Sequence, residues 1–308
     1  MANSPRVYLM LCFALFLLAS CKTVRSIDSP MKGLEESCYK YILDFKPTSS
    51  PESFEVDDFS QKAHDNFSEN SLFFIRILGL TEEIETVLNH EFDDELTKFK
   101  NLQKSINEIT LIELEVQAFS SALRCEEDKF NQLAWHLENI SNSRSSTKTV
   151  SGIILDASAN IAGAAIILFW AQGNTTRQLI GIGASLTQIY LNVWGRSITY
   201  TVDIEHPVNI LKEFSKEQEW CESIPDHIWA YVNHVKREEG NLNIRDQLMA
   251  SWSDTLIEEN KDLFFSNGGT YDATQLRGRA SMLEQLASFT EGMLQDLLIL
   301  RKELQSIN

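Results

Sequence analysis

The stretch Leu102-Gln-Lys-Ser-Ile-Asn-Glu-Ile109-Thr-Leu-Ile-Glu-Leu-Glu-Val116-Gln-Ala-Phe-Ser-Ser-Ala-Leu123-Arg-Cys-Glu-Glu-Asp-Lys-Phe130-Asn-Gln-Leu-Ala-Trp-His-Leu137 decides the fold of this chain. Leu102, Ile109, Val116, Leu123, Phe130 and Leu137 recur every seventh residue, and Phe99, Ile106, Ile112, Phe119, Leu133 and Ile140 widen the same face. Apolar residues at that spacing share one side of an α-helix and not of a strand. No Gly or Pro interrupts residues 93–148. The pattern predicts one amphipathic helix from about Asp94 to Asn142, about 70 Å long at 1.5 Å per residue. A stripe of that length must pack on partner helices.

A matching stripe closes the chain. Leu283, Leu297 and Leu304 hold one heptad position, with Thr290 in the gap, and Leu286, Met293, Leu300 and Ile307 hold the other. Residues 273–307 read as a second long helix, introduced by an Asn267-Gly268-Gly269 turn and capped by Asp272 or Thr274. The first long helix is its expected partner; a homotypic coiled coil between chains is the rival.

Shorter helices fill the remainder. Met31 to Phe45 reads as a helix ended by Lys46-Pro47. Phe54 to Leu88 reads as helices broken near Asn70 and at Gly79-Leu80-Thr81. Between His206 and Phe265, Pro207 and Pro225 stand where helices begin, and Ser223-Ile224-Pro225-Asp226 has capping-box spacing. Six prolines and thirteen glycines in 308 residues favour helices over turn-rich sheets. The β-branched patch Ile198-Thr199-Tyr200-Thr201-Val202 is the one place where a short strand is plausible.

The centre of the chain is different. Ser151 to Ala171 carries a single charge, Asp156, in an Ala/Gly-rich apolar run, and Leu179 to Ile198 is a second apolar segment beyond the polar Gly173-Asn174-Thr175-Thr176-Arg177 turn. Each segment has about the length of a helical membrane span, and the pair predicts an antiparallel hairpin. Small residues such as Ala159 and Gly163 suit close helix pairing. Asp156 and Asn160 stand four apart on one segment, and Gln188 and Asn192 stand four apart on the other. Folding about residue 175 sets Asp156 opposite Asn192 to Arg196. A buried carboxylate needs such partners, so Asp156, Asn160, Gln188, Asn192 and Arg196 form a predicted polar cluster inside the hairpin. Three environments remain open: a buried bundle core, lipid, or copies of the same hairpin in an oligomer. The polar residues weigh against lipid.

The first residues carry an address. Arg6 precedes an apolar run from Val7 to Leu18, followed by small residues and a cysteine. That is the layout of a secretory signal peptide, too short for a stable span. The ending Leu18-Ala19-Ser20-Cys21 resembles the lipobox of bacterial lipoproteins. The resemblance covers the leader alone and implies that Cys21 is acylated, which firmly anchors a chain to a membrane. Lys22, where an Asp implies inner-membrane retention in proteobacterial lipoproteins, points to the outer membrane. An ordinary signal peptidase cut near Ala19 or Ser20 is the alternative, and the Asn66, Asn139 and Asn174 sequons also fit a eukaryotic secreted chain.

Composition narrows the partners. The formal net charge of −17 repels nucleic-acid phosphates, so a DNA- or RNA-binding role is not expected. With Cys12 in the leader and Cys21 acylated, Cys38, Cys125 and Cys221 remain: either one disulfide with one thiol, or three thiols. No phosphate-loop, HExxH or GxSxG motif is present. His227 and His234, seven apart, read as amphipathic-face histidines, not metal ligands. Asp57-Asp58 and Asp93-Asp94 read as solvated helix starts. No cofactor is implied.

The expectation is an all-α protein, an elongated helical bundle with two long amphipathic helices and a central hydrophobic hairpin. Its divisions are a signal peptide (1–20), a lipidated tether and first short helix (21–53), a long-helix arm (54–148), the hairpin (149–200) and C-terminal helices (201–308). Its expected role is structural or in assembly at the cell envelope, with a homo-oligomer or an envelope protein as partner. A membrane-active helical protein, similar in layout to α-helical pore-forming toxins, is the alternative; an enzyme with a concealed site is the third reading.

Overall fold

The structure, a computed structural model of the 308-residue chain, describes residues 23–27, 38–39, 59–89, 95–169, 198–216, 221–235, 242–252 and 255–307, with side chains of the longest helix as far as 143. Among the described residues the protein is mainly helical. The helices are α1 (Gln61–Asn66), α2 (Glu69–Ile77), α3 (Thr81–Asn89), α4 (Glu95–Phe169), α5 (Ile210–Ser215), α6 (Asp226–His234), α7 (Ile244–Ser251), α8 (Thr255–Glu259), α9 (Lys261–Phe264) and α10 (Ala273–Ser306). Three strands, β1 (Thr23–Ser26), β2 (Ile198–Glu205) and β3 (Gly268–Asp272), form one sheet in the order β1-β2-β3. The all-α expectation is therefore corrected to a helical protein with a small sheet.

The chain divides into two compact units. One draws on residues 31–131, 204–269 and 275–308, the other on 1–30, 132–203 and 270–274. The first holds the α4 stripe as far as Asn131 and the α10 stripe from Gln275. Ile109, Val116, Phe119 and Leu123 of α4 are fully buried, as are Leu283, Leu286, Met293, Leu297 and Leu300 of α10. Arg124 donates twice to Glu291, each at 2.8 Å, and Arg301 donates to Thr110 at 2.7 Å and Glu113 at 2.8 Å. Rising numbers on α4 meet falling numbers on α10, so the pair is antiparallel and closes within one chain. Phe99 departs from the expected stripe and is 63% exposed. The Lys98 ammonium already donates to the Ile307 carbonyl at 3.1 Å, so α10 ends there and leaves the first turn of the stripe uncovered. Ile106, Ile140 and Ile307 are half-buried.

Serine caps set the first helices. Ser60 and Ser68 accept from Ala63 N–H and Ser71 N–H. The break falls at Phe67-Ser68 and not at Asn70, which lies inside α2, because the Ser68 hydroxyl can satisfy orphan N–H groups there. The capping box at Ser223–Asp226 does not form: Pro225 is the cap and makes no side-chain bond. Asn209 caps α5 by accepting from Lys212 N–H at 3.3 Å.

In the other unit, α4 continues without a break from the amphipathic stripe into the first apolar segment. The expected helix from about Asp94 to Asn142 is present, and its backbone runs on to Phe169. A lone Gly152 costs only about 1 kcal/mol in a helix and does not stop it. The expected tether holds β1, which pairs in parallel with β2 in the register Thr23↔Ile198, Val24↔Thr199, Arg25↔Tyr200 and Ser26↔Thr201. Ile27 N–H extends the ladder to Thr201 O at 2.9 Å. Asp203 accepts from Ser26 on one side and Thr270 on the other, so it clips the three strands together.

The Asn267-Gly268-Gly269 segment begins β3 instead of forming a simple turn. Gly268 has φ +144°, and a Cβ there would stand 2.4 Å from the Ile204 carbonyl oxygen. Close approach to β2 requires glycine at that point. The predicted helix from Met31 to Phe45 lies outside the described residues, apart from a turn at Cys38 and Tyr39.

Candidate functional site

Most of the residues singled out from sequence lie beyond direct description. Cys21, Gln188, Asn192 and Arg196 are outside the described residues. Asp156 and Asn160 fall on the backbone of α4, one turn apart, with their side chains outside the description. The chemistry-bearing clusters that are described stand elsewhere, in the first unit.

The densest is built around Arg279. This guanidinium has 0% exposure. Its Nη1 donates to the Phe264 carbonyl at 2.7 Å, and its Nη2 donates to Glu126 Oε1 at 3.2 Å and Asn209 Oδ1 at 3.0 Å. Its charge lies over the Phe130 ring, 5.1 Å from the centroid. The second Glu126 oxygen accepts from the Tyr39 hydroxyl. Asn209 in turn donates to Phe264 O at 3.0 Å and to Ser266 O. A buried charge is tolerated only when paired and hydrogen-bonded; here one carboxylate, one amide and one main-chain carbonyl partner the two Nη atoms, while Nε has no hydrogen-bond partner among the described residues.

Neighbouring groups respond to this environment. His206 meets Phe130 edge-on at 5.7 Å. Burial, helped by the Arg279 charge, depresses its imidazole to about 3, so it is neutral at ordinary pH. Burial first, then the Glu126 carboxylate, pushes the Tyr39 hydroxyl well above its usual range, so it remains a donor. Cys38 and Cys125, each adjacent in sequence to a member of the network, form a disulfide. Cys221 is a buried thiol whose ionisation burial disfavours. Of the two cysteine arrangements open from sequence, this is the first.

Sequence reasoning missed this network although a signal was present. Ile112, Phe119 and Leu133 define a seven-residue column in which Glu126 is the gap. Leu286, Met293 and Leu300 define another, and Arg279 stands seven before Leu286. Opposite charges in register with two apolar columns, one at a gap and one at the head, mark a buried pair. With Arg279 sealed from solvent, the arrangement cross-links α4, α10, the segment before α5 and the turn at Cys38-Tyr39. It presents no accessible nucleophile.

A second cluster joins α4 and α6. Burial, with Asp226 nearby, raises the Glu115 carboxyl to about 7. Burial also raises Asp226 and lowers His227, which bonds to the Ile77 backbone. His227 thus lies against α2, while His234 meets Phe73 at 6.4 Å between ring centroids. Trp229 and Trp252 are buried core residues, as most such tryptophans are. Among the described residues no group of three or more His, Cys, Asp or Glu side chains is placed to hold a metal ion, and no helix is long and apolar enough to cross a membrane. No protein-family model, curated protein or solved structure matches the chain.

Proposed function

We propose that the chain is a lipid-anchored protein of the bacterial envelope, of the outer membrane in a host that has one, with a structural or assembly role. The acylated residue is Cys21. The antiparallel long helices form the body of an elongated bundle, and the hairpin of residues 149–200 serves as bundle core or as a membrane or oligomer element. The observation that carries the reading is Leu18-Ala19-Ser20-Cys21 directly after the Val7 to Leu18 apolar run. The Cys38–Cys125 disulfide supports it, because such bonds persist in oxidising compartments outside the cytosol. Metabolic labelling with palmitate in a bacterial host tests it. Label is expected on the parent protein and absent from Cys21→Ala; label that persists in the variant overturns the anchor.

One observation favours a second reading, a membrane-active helical protein. The amphipathic helix α4 runs without a break into the apolar segment, so a long lever is continuous with a candidate insertion element. Dye leakage from liposomes on addition of the leaderless protein supports that reading, and intact vesicles exclude it.

A further inference from the structure

Two consecutive rungs join the turn at Cys38-Tyr39 to α4. The outer rung is covalent: Cys38 and Cys125 are bonded, with their Cα atoms 5.9 Å apart. The inner rung is the hydrogen bond that the Tyr39 hydroxyl donates to Glu126 Oε2. Both span 87 residues, so the rungs stand in register, one residue apart on each side. Neighbouring side chains on a helix point about 100° apart, and the two rungs differ in setting accordingly. Cys125 is exposed and Cys38 half-buried, whereas Tyr39 is 3% and Glu126 8% exposed. A thiol reagent in solvent meets the outer rung first, and the inner rung lies on its core side.

Tyr39 closes the Glu126 side of the Arg279 network. Glu126 Oε1 accepts from Arg279 Nη2 at 3.2 Å, while Oε2 accepts from Tyr39. Cys38 and Tyr39 lie in a turn outside every described helix and strand. Holding such a turn in one place costs chain entropy, and the covalent rung meets that cost in the oxidised chain. In the reduced chain it falls on the Tyr39 hydrogen bond and the burial of its ring, whose contributions are of comparable size.

We propose that the Cys38–Cys125 bond is a redox latch on this network. When formed, it seats Tyr39 on Glu126 and seals the ion pair from water. When it is reduced, Tyr39 leaves, and water reaches the Glu126 carboxylate and the Arg279 guanidinium behind it. The reductant is a dithiol. Its thiolate attacks one sulfur, forming a mixed disulfide and freeing one cysteine; its second thiol attacks the mixed disulfide and frees the other. Two electrons and two protons pass to Cys38 and Cys125, and the dithiol closes to a disulfide. The reverse step needs a disulfide-bearing oxidant, which takes those electrons back. The network is therefore sealed only in a compartment that supplies such an oxidant. Coupling is reciprocal: whatever the bond adds to the inner rung, the inner rung adds to the bond. The latch stands independently of the lipid anchor.

The full-length protein, equilibrated at pH 7 without denaturant across ratios of reduced to oxidised dithiothreitol, tests the latch. Cys38 and Cys125 are counted as thiols by alkylation and peptide mass spectrometry, which resolves them from the buried Cys221. Tyr39→Phe removes the donor of the inner rung and keeps the ring. It is expected to shift the equilibrium toward the two thiols by about fivefold or more. Leu297 is fully buried and stands 18 residues from Arg279 on α10, or about 27 Å along the helix. Leu297→Ala weakens the core in both redox states and is expected to shift the equilibrium by less than about twofold. Equal shifts in the two variants, or none in Tyr39→Phe, overturn the latch. Hydrogen–deuterium exchange of the unmutated protein gives a second readout. On reduction, exchange is expected to rise several-fold in peptides covering 122–130 and 276–283 and to stay unchanged over 293–304. A rise across all three overturns the latch in favour of a general brace, and no rise in any of them overturns it as well.

Discussion

Removing either member of the buried Arg279–Glu126 pair should cost far more than removing both. In Arg279→Met, the Phe264 carbonyl keeps the Asn209 amide donor at 3.0 Å, and Asn209 Oδ1 keeps Lys212 N–H at 3.3 Å. The stranded group is Glu126, left in a nearly closed site with Tyr39 as its remaining described donor. In Glu126→Leu, a guanidinium with no exposure loses its counter-charge and keeps two neutral acceptors. Breaking a buried ion pair from one side costs about 3–5 kcal/mol. The double variant Glu126→Leu/Arg279→Met strands no charge. It leaves the Tyr39 hydroxyl without this acceptor, worth about 1–3 kcal/mol. The single effects therefore sum to roughly 6–10 kcal/mol against about 1–3 for the pair, a coupling of at least about 3 kcal/mol. Urea unfolding followed by circular dichroism, on oxidised protein at neutral pH, measures all four corners of the cycle. A double variant whose loss equals the sum of the singles within about 0.5 kcal/mol would refute the pairing.

Two further outcomes follow from the same unit. Glu115 titrates near 7 in the folded protein against an ordinary 4.5, so the fold binds its proton more tightly than the unfolded chain does. Its contribution is complete below about pH 4.5 and is lost as pH rises through about 7, with a ceiling of roughly 3 kcal/mol that partial solvent access reduces. Glu115→Gln should accordingly raise the melting temperature at pH 8 and flatten its fall between pH 5 and 8; parallel pH profiles for variant and parent would exclude this. The Cys38–Cys125 bond spans 87 residues, for which the chain-entropy model gives a ceiling of about 4–5 kcal/mol. Cys125→Ser should lower the urea midpoint clearly and abolish its sensitivity to reductant, and an unchanged midpoint would show that the bond constrains nothing.

The parts of the fold that were legible are those written in local periodicity. Val116 and Leu297 lie at the centres of two seven-residue columns, and both are fully buried because the helix repeat alone places each column on one face. The sheet was barely legible, because its strands depend on partners distant in sequence. β1 is four residues, Thr-Val-Arg-Ser, with Val24 turned to solvent; its pairing with β2 bridges some 175 positions, a relation that no local pattern encodes. Gly268-Gly269 illustrates the ambiguity directly. A Gly pair reads as a turn, and only the nearby Ile204 carbonyl reveals that Gly268 serves close strand approach.

The Arg279 network was missed for a different reason. Its information was local, yet charged residues are assigned to solvent by default. A surface Glu or Arg is the general expectation, and it held for Arg124 and Glu291, whose ion pair is exposed. What separates Glu126 and Arg279 from those two is position alone: Glu126 fills the gap in one apolar column, and Arg279 heads another. A charge at a seam position costs stability when unpaired, so two opposite charges at seam positions on antiparallel partners constrain register as well as pairing. In the observed register Arg124 meets Glu291 while Glu126 meets Arg279. Shifting α10 by one heptad would place Leu286 against Glu126 and push Arg279 toward apolar side chains. The two stripes carry enough aliphatic residues to pack in several registers; the buried ion pair penalises the wrong ones. It thereby fixes which turn of α10 lies beside the Cys38–Cys125 cross-link.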